Sequence, residues 1–318
     1  MGLTKSQLVE PCVRQEILIF IMRINFYSRV CKRNGEYNCM KQKLVNNGEY
    51  TQILNHNLHI YRDGDVSKPK LVFMSGSGTT APVYDFKILY NKLVSRFRII
   101  VIEKFGYGYS DLFETACDID SLVDYQREAL NKIGEKGPFI LLAHSMSGLE
   151  AIRWKQKYPD EIKALIGLDM ATPITYMEWD SDEINKRIDS MFKLQKLKQY
   201  GLLFWYPMNN RELNKEERKQ QRLLWKRNGL NTCFINEAKQ VLNNAMIVDK
   251  AGKVECPTLL FVSNGKQVSP NWINNQHEFA EQMRAELVQF NCGHYVHCYE
   301  SENICNKVID FVGGMEAI

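Results

Sequence analysis

From about residue 44 onward, the chain alternates short apolar runs with segments whose apolar residues recur at helical spacing. The apolar runs are rich in β-branched side chains and short, as buried strands are. The clearest of them are Leu71–Met74, Arg98–Ile102, Phe139–Ala143, Ala164–Leu168 and Pro257–Ser263. Parallel strands need helical crossovers between them, so the alternation predicts an α/β fold: a mostly parallel sheet covered by helices on both faces.

The alternation is interrupted once, between Thr172 and about Asn236. This stretch contains no strand-like run and is rich in Lys, Glu, Leu and aromatic residues. We interpret it as a helical cap of about 172–236 inserted into one domain of 44–318. A mixed run of charges at Asn210–Arg227 is interpreted as a solvated helix face without functional weight.

Residues 1–43 form a separate N-terminal segment in this interpretation. Its apolar stretch, Ile17–Met22, is bracketed by charged residues and is far shorter than the roughly 20 residues of a membrane-spanning helix. An amphipathic helix fits better, lying on the protein body or making a peripheral membrane contact.

Composition excludes some partners and suggests a compartment. The chain has 318 residues with 41 Lys and Arg against 37 Asp and Glu, so nothing indicates nucleic acid as a partner. Its nine cysteines show no C-x-x-C pair, which favours reduced thiols and a cytoplasmic protein, with membrane association left open. Oligomeric state is not predicted.

The strongest local signal is the segment Phe139–Gly148, a buried strand that runs into a turn and a helix with Ser145 at the tip. A strained turn of this kind lifts a serine hydroxyl above the sheet edge, which requires small flanking residues. The flanks here are Ala143 and Ser147 in place of the glycines of G-x-S-x-G. We predict Ser145 as a nucleophile; the alternative is an ordinary helix cap.

Two further segments match the chemistry of acyl transfer. The turn Ser75–Gly78 follows a strand, and the backbone N–H groups of Ser77 and Met146 are candidates for an oxyanion hole. His294 follows the last predicted strand and is the candidate base. A metal site built from Cys292, His294, His297 and Cys298 is the alternative, but these residues cluster in one loop without a second ligand pair, so we predict no metal.

The acid that orients the histidine has two candidates. Asp169 directly follows the strand Ala164–Leu168, whereas Asn264 follows the next strand at the other natural place. An amide can orient an imidazole, but it cannot stabilise positive charge as a carboxylate does. We therefore predict Asp169, with Asn264 as the alternative.

Together these segments resemble the α/β-hydrolase superfamily, in particular capped esterases, lipases and proline-iminopeptidase-like members. The resemblance runs from about Gly48 to Val312 and is carried by Ser75–Gly78, Glu103–Ser110, the Ser145 turn and Gly293-His294. Family members usually have His-Gly at Ser75-Gly76 and Asp at Glu103. They commonly place the acid at the position of Asn264, and some place it one strand earlier, at the position of Asp169.

The resemblance implies a serine hydrolase that needs no cofactor. Its substrate would be a small-molecule ester, as for a carboxylesterase, with an amide (an aminopeptidase-like activity) or a thioester as alternatives. Relatives that release halide or open epoxides are expected to carry a carboxylate nucleophile, which Ser145 argues against. Trp179 and Trp205 of the cap are candidates for substrate binding, although such aromatic residues serve equally as the cap's own core. The alternative function is a catalytically weak ligand-binding or signalling protein on the same fold.

Overall fold

The structure is a computed structural model that describes residues 44–199 and 212–316. The chain divides into two compact units, Met1–Val45 and Asn46–Ile318, and the strands and helices named below belong to the second. The helix predicted within residues 1–43 lies outside the described residues, and so does Trp205.

The described residues of the second unit contain one eight-stranded sheet, in the order β1-β2-β4-β3-β5-β6-β7-β8. Strands β1, β2 and β4 pair antiparallel, and all pairs from β4 to β8 are parallel, which confirms the predicted mostly parallel sheet. The strands are β1 (Glu49–Ile53), β2 (His56–Asp63), β3 (Lys70–Met74), β4 (Arg98–Glu103), β5 (Phe139–His144), β6 (Ile162–Leu168), β7 (Thr258–Val262) and β8 (Glu286–Gln289).

Helices cover both faces of this sheet. They are α1 (Pro82–Asp85), α2 (Lys87–Leu93), α3 (Ile119–Lys132), α4 (Ser147–Lys157), α5 (Pro173–Met177), α6 (Ser181–Gln199), α7 (Lys215–Asn228), α8 (Thr232–Lys250), α9 (Trp272–Met283), α10 (Val296–Tyr299) and α11 (Ser301–Glu316). Side chains alternate along each strand, so Val72 and Met74 pack on the face of α3, α4, α8 and α9, while Leu71 and Phe73 pack on that of α2 and α11.

The insertion between β6 and β7 differs in one respect from its prediction. Its last helix, α8, begins at Thr232, because the Asn231 side chain accepts the N–H groups of Cys233 and Phe234 as an N-cap. The same helix continues to Lys250 and buries Val241, Ala245 and Val248 in the core. Helix α8 therefore runs without interruption through residue 236, the expected end of the insertion, and into the core.

Where it is described, the charged run at Asn210–Arg227 lies on a solvated face of α7, as interpreted, since Lys215, Lys219 and Arg222 are exposed. Another face of the same helix is buried. Gln220 and Gln221 are each 2% exposed and Leu224 is fully buried, so this face is packed against the protein. Elsewhere in the described ranges, no helix is long and apolar enough to cross a membrane. The described cysteines are free thiols.

Candidate active site

Ser145 lies at the junction between β5, which ends at His144, and α4, which begins at Ser147. Its φ of 55° is in the left-handed region, which a serine adopts only when the surroundings enforce it. Gly148 allows the tight packing, since a Cβ there would lie 2.2 Å from the carbonyl oxygen of Ala171. The predicted strand–turn–helix is therefore present, with small buried flanks in place of glycines.

The loop Ser75–Thr80, called here the glycine-rich loop, follows β3 and passes directly over the Ser145 turn. A Cβ on Gly76 would lie 2.5 Å from the Cβ of Ser145, so only glycine permits this approach. Within the described part of the chain, the backbone N–H groups of Ser77 and Met146 have no acceptor. The two predicted oxyanion donors are thus available to a ligand.

His294 and Asp169 are brought together from loops after two different strands. The imidazole Nδ1 lies 2.6 Å from Asp169 Oδ2, where a ring N–H donates to the carboxylate. This contact sets the tautomer, because an Nδ1–H leaves Nε2 as the proton acceptor. Asp169 is fully buried, and the His294 side chain is 17% exposed.

The second oxygen of Asp169 is also held. Oδ1 accepts the backbone N–H of Ser263 at 2.8 Å and the indole N–H of Trp272 at 2.7 Å. The residue itself has a φ of 50°, and its own N–H donates to the Phe261 carbonyl at 2.7 Å. The hydrogen bonds to both carboxylate oxygens and the bonded backbone therefore fix the orientation of Asp169 towards His294. Sequence reasoning found Asp169 but missed Trp272, for which the sequence offers no signal.

The alternative acid, Asn264, is engaged elsewhere. Its Oδ1 accepts the N–H of Lys266 at 3.2 Å, and its Nδ2 donates to Asn291 Oδ1 at 3.4 Å. The structure therefore brings Asp169, and not Asn264, to the His294 ring.

The loop that carries His294 is positioned by neighbours on both sides. Its backbone N–H donates to Gln267 Oε1 at 2.9 Å. The His144 ring packs 4.8 Å from the His294 ring, centroid to centroid, and 5.1 Å from that of His297. Burial lowers the pKa of His297 to about 3 and that of His144 well below its usual value, and the nearby His294 adds to both. These two neighbours are therefore neutral rings that pack the base.

A family model described as alpha/beta hydrolase fold matches residues 69–228, which is half of the chain. The chain is also 31% identical over 284 residues to an uncharacterized protein of Bacillus subtilis, YbdG, with 85% of this chain and 86% of that one covered. This chain belongs to the α/β-hydrolase family. The predicted α/β-hydrolase fold is confirmed.

Two other matches, one in sequence and one in structure, are more limited. A stretch of 125 residues of this α/β-hydrolase is 27% identical to the 2-(acetamidomethylene)succinate hydrolase of Mesorhizobium japonicum, covering 39% of this chain and 43% of that one. The crystal structure of a haloalkane dehalogenase, DbeA from Bradyrhizobium elkani, superposes with a TM-score of 0.67 at 18% identity, covering 85% of this chain and 98% of that one. At that identity the likeness concerns the fold alone.

Of the predicted substrate-binding residues, Trp179 is described. It is half-buried and lies two residues after the end of α5. Its ring centroid lies 5.0 Å from that of Tyr176 and 4.1 Å from the guanidinium carbon of Arg187. These contacts are those of a residue packing within the insertion, and substrate binding by Trp179 stays a prediction. As for the metal alternative, no group of three or more His, Cys, Asp or Glu among the described residues is placed to hold an ion.

A buried charged cluster near this edge of the sheet was not predicted. Lys104, directly after β4, contacts Glu150 of α4 at 2.7 Å and Glu237 of α8 at 3.2 Å. All three side chains are at most 6% exposed. Burial alone would lower the pKa of Lys104, but the two carboxylates outweigh it and raise that pKa, so the ammonium stays charged. In the sequence, each of these three residues looks like an ordinary charged surface residue, so the sequence did not indicate the cluster.

Proposed function

We propose that this α/β-hydrolase is a serine hydrolase that cleaves an ester of a small molecule through an acyl-enzyme. The observation that carries the proposal is the 2.6 Å contact of His294 Nδ1 with the buried Asp169. Both residues lie in loops at the carboxyl edge of the sheet, where Ser145 occupies a strained turn. A nucleophile, a base and an orienting acid at one edge is the arrangement that activates a hydroxyl.

In the proposed mechanism, Ser145 Oγ attacks the acyl carbon while His294 Nε2 takes its proton. The tetrahedral intermediate then collapses as His294 returns that proton to the leaving alcohol. Water attacks the acyl-enzyme with His294 as base. His294 then returns that proton to Ser145 Oγ, and the carboxylic acid product is released. Asp169 holds the imidazole tautomer and stabilises the imidazolium.

The negative oxygen of each intermediate needs donors that are already in place. The N–H groups of Ser77 and Met146, which have no acceptor within the described residues, are the proposed donors. The close approach of Gly76 to Ser145 supports this role, since it sets the loop within reach of the reacting carbon.

The substrate class rests on the nucleophile. A carboxylate nucleophile would suit halide release or epoxide opening, whereas a serine suits acyl transfer, so we propose an ester, with an amide or thioester as alternatives. The partial likeness to a 2-(acetamidomethylene)succinate hydrolase supports hydrolysis of a small molecule as the reaction class. The alternative of a weakly active binding protein rests on the amide of Asn264 at the usual place of the acid and on the non-glycine flanks of Ser145. The contact of Asp169 with His294 supports the hydrolase instead.

The test is active-site labelling with a fluorophosphonate. The wild-type protein is expected to be labelled, and Ser145→Ala is expected to lose the label together with about 10⁴-fold or more of kcat on p-nitrophenyl esters. Ser121→Ala, on α3, is the matched control and should be labelled like wild type. A folded wild-type protein that takes no label would overturn the proposal. Esters of rising chain length and aminoacyl-naphthylamides then divide esterase from peptidase.

A further inference from the structure

Ser147 occupies the position of the second glycine in G-x-S-x-G and uses its hydroxyl. Its Oγ lies 2.8 Å from the carbonyl oxygen of Met74 and 2.9 Å from that of His144. Met74 is the last residue of β3, directly before the glycine-rich loop, and His144 directly precedes the nucleophile. One fully buried hydroxyl therefore lies between the two segments that carry the proposed oxyanion donors, and its single proton is shared between the two carbonyl oxygens. A glycine has no atom that could do this.

Tyr107 is anchored next to the same loop. Its phenol O–H donates to Glu237 Oε2 at 2.6 Å, and the side chain is fully buried. The backbone N–H of Gly108, the next residue, donates at 3.2 Å to the carbonyl oxygen of Thr80, the last residue of the glycine-rich loop. Fixing Tyr107 therefore fixes a segment that is hydrogen-bonded to the loop.

The buried charged cluster explains why this phenol holds its orientation. Lys104 compensates the charge of Glu237, and Glu150 links the cluster to α4, which begins beside the nucleophile. A carboxylate paired in this way stays a strong acceptor for the tyrosine hydroxyl. Burial and Glu237 raise the pKa of Tyr107 well above its usual value, so the phenol keeps its proton.

We propose that Ser147 and Tyr107 are positioning residues that hold the glycine-rich loop against the Ser145 turn, so that Ser77 and Met146 N–H groups are aligned before substrate arrives. The inference rests on the proposed hydrolysis. Donors fixed in advance stabilise the transition state without reorganisation, whereas a loop that moves must first be ordered. Neither residue touches the substrate in this proposal.

The test compares Ser147→Ala, Ser147→Gly and Tyr107→Phe with the control Tyr90→Phe, which also removes a buried hydroxyl but on α2. Each test variant is expected to lower kcat on a p-nitrophenyl ester about 10-fold, less than the 10²- to 10³-fold of deleting a donor, with KM within about twofold. The affinity for a trifluoromethyl ketone, which forms an oxyanion on Ser145, should fall by the same factor as kcat/KM. Tyr90→Phe should change neither quantity.

Fluorophosphonate titration gives the number of active sites and separates folding losses from the proposed effect. If kcat per titrated site and ketone affinity stay at wild-type values in the three variants, the inference is wrong while the hydrolase proposal stands. If Ser147→Gly, which restores the usual motif, matches or exceeds wild type, the role assigned to the Ser147 hydroxyl is wrong. If wild type itself is not labelled, the proposed function fails first.

Discussion

The carboxyl edge of the sheet and the helical insertion between β6 and β7 differ in how far their sequence reveals which residues matter. At the edge, Ser145 and Asp169 directly follow β5 and β6, and His294 lies in the loop after β8, so all three lie in loops at the carboxyl ends of strands of one sheet. In the insertion, α7 has the composition of a surface helix, yet one face is buried. A position after a predicted strand thus indicates a candidate functional residue, whereas the sequence of a polar helix does not indicate which of its faces is buried.

The polar face of α7 is bonded to the backbone beside the glycine-rich loop. Asn228, fully buried, donates through Nδ2 to the carbonyl oxygens of Thr80 at 2.8 Å and Gly108 at 2.7 Å. Arg227 donates to Gly108 and Ser110 carbonyls, both at 2.8 Å. Hydrogen bonds to main-chain carbonyls thus fix this helix on the sheet edge, in addition to the packing of Leu224.

A titratable contact joins the same two regions. Gln221 of α7 donates through Nε2 to Asp85 Oδ1 of α1 at 2.7 Å, and Asp85 Oδ2 is buried with no partner in the described ranges. Burial, together with the nearby Glu103, raises the pKa of Asp85 to about 7, although the Gln221 bond opposes the shift. The insertion is therefore held partly by a carboxyl group that is half neutral near pH 7.

The largest expected effect tests the edge. Asp169→Asn should lower kcat on p-nitrophenyl esters about 10³- to 10⁴-fold, because an amide can select the wrong imidazole tautomer and cannot stabilise the imidazolium. Asn264→Ala, the matched control, should stay within a few-fold of wild type, since among the described residues its side chain bonds to Lys266 and Asn291 and not to His294. A large loss in Asn264→Ala with a small one in Asp169→Asn would reverse the assignment of the acid.

The second effect tests the contact between the two regions through pH. An acid whose folded pKa is raised makes the protein less stable as pH rises from its unfolded pKa, about 4, to its folded pKa, about 7. Asp85→Asn removes this penalty. The free energy of unfolding of the variant should therefore exceed that of wild type by an amount that grows across that window, up to about 4 kcal/mol above pH 7. Urea denaturation at pH 5, 6, 7 and 8 measures the difference. A difference that is constant with pH would contradict the assignment.

The smallest effect tests the hydrogen bonds that attach α7 to the sheet edge. Asn228→Ala removes two buried hydrogen bonds, to the Thr80 and Gly108 carbonyls, and should cost about 2 kcal/mol of unfolding free energy. Asn236→Ala, which removes an exposed bond to Glu114, should stay within about 0.5 kcal/mol of wild type. Equal losses in the two variants, measured by urea denaturation, would show that the α7 contact contributes no more than a surface bond.

Much of the fold could be predicted because buried strands and amphipathic helices have distinct periods. The predicted strand Phe139–Ala143 is Phe139–His144, and the predicted strand Ala164–Leu168 is Ile162–Leu168. The predicted end of the insertion at about residue 236 falls inside α8, since the Asn231 cap that begins this helix lies in a polar stretch where periodicity is weak. The order of the strands in the sheet did not follow from the pattern either, because every parallel crossover has the same local appearance.

The sequence by itself determined the strand–turn–helix at Ser145, the small residues around it and the placement of a histidine and an aspartate after later strands, since these depend on local sterics and on chain order. Only the tertiary structure decided which acid reaches His294, because Asp169 and Asn264 both follow strands and the choice depends on where Trp272 and the Ser263 N–H lie. The same holds for Ser147 and Tyr107. Their hydroxyl partners, Met74 and Glu237, are distant from them in sequence, so only folding brings each pair within hydrogen-bond range.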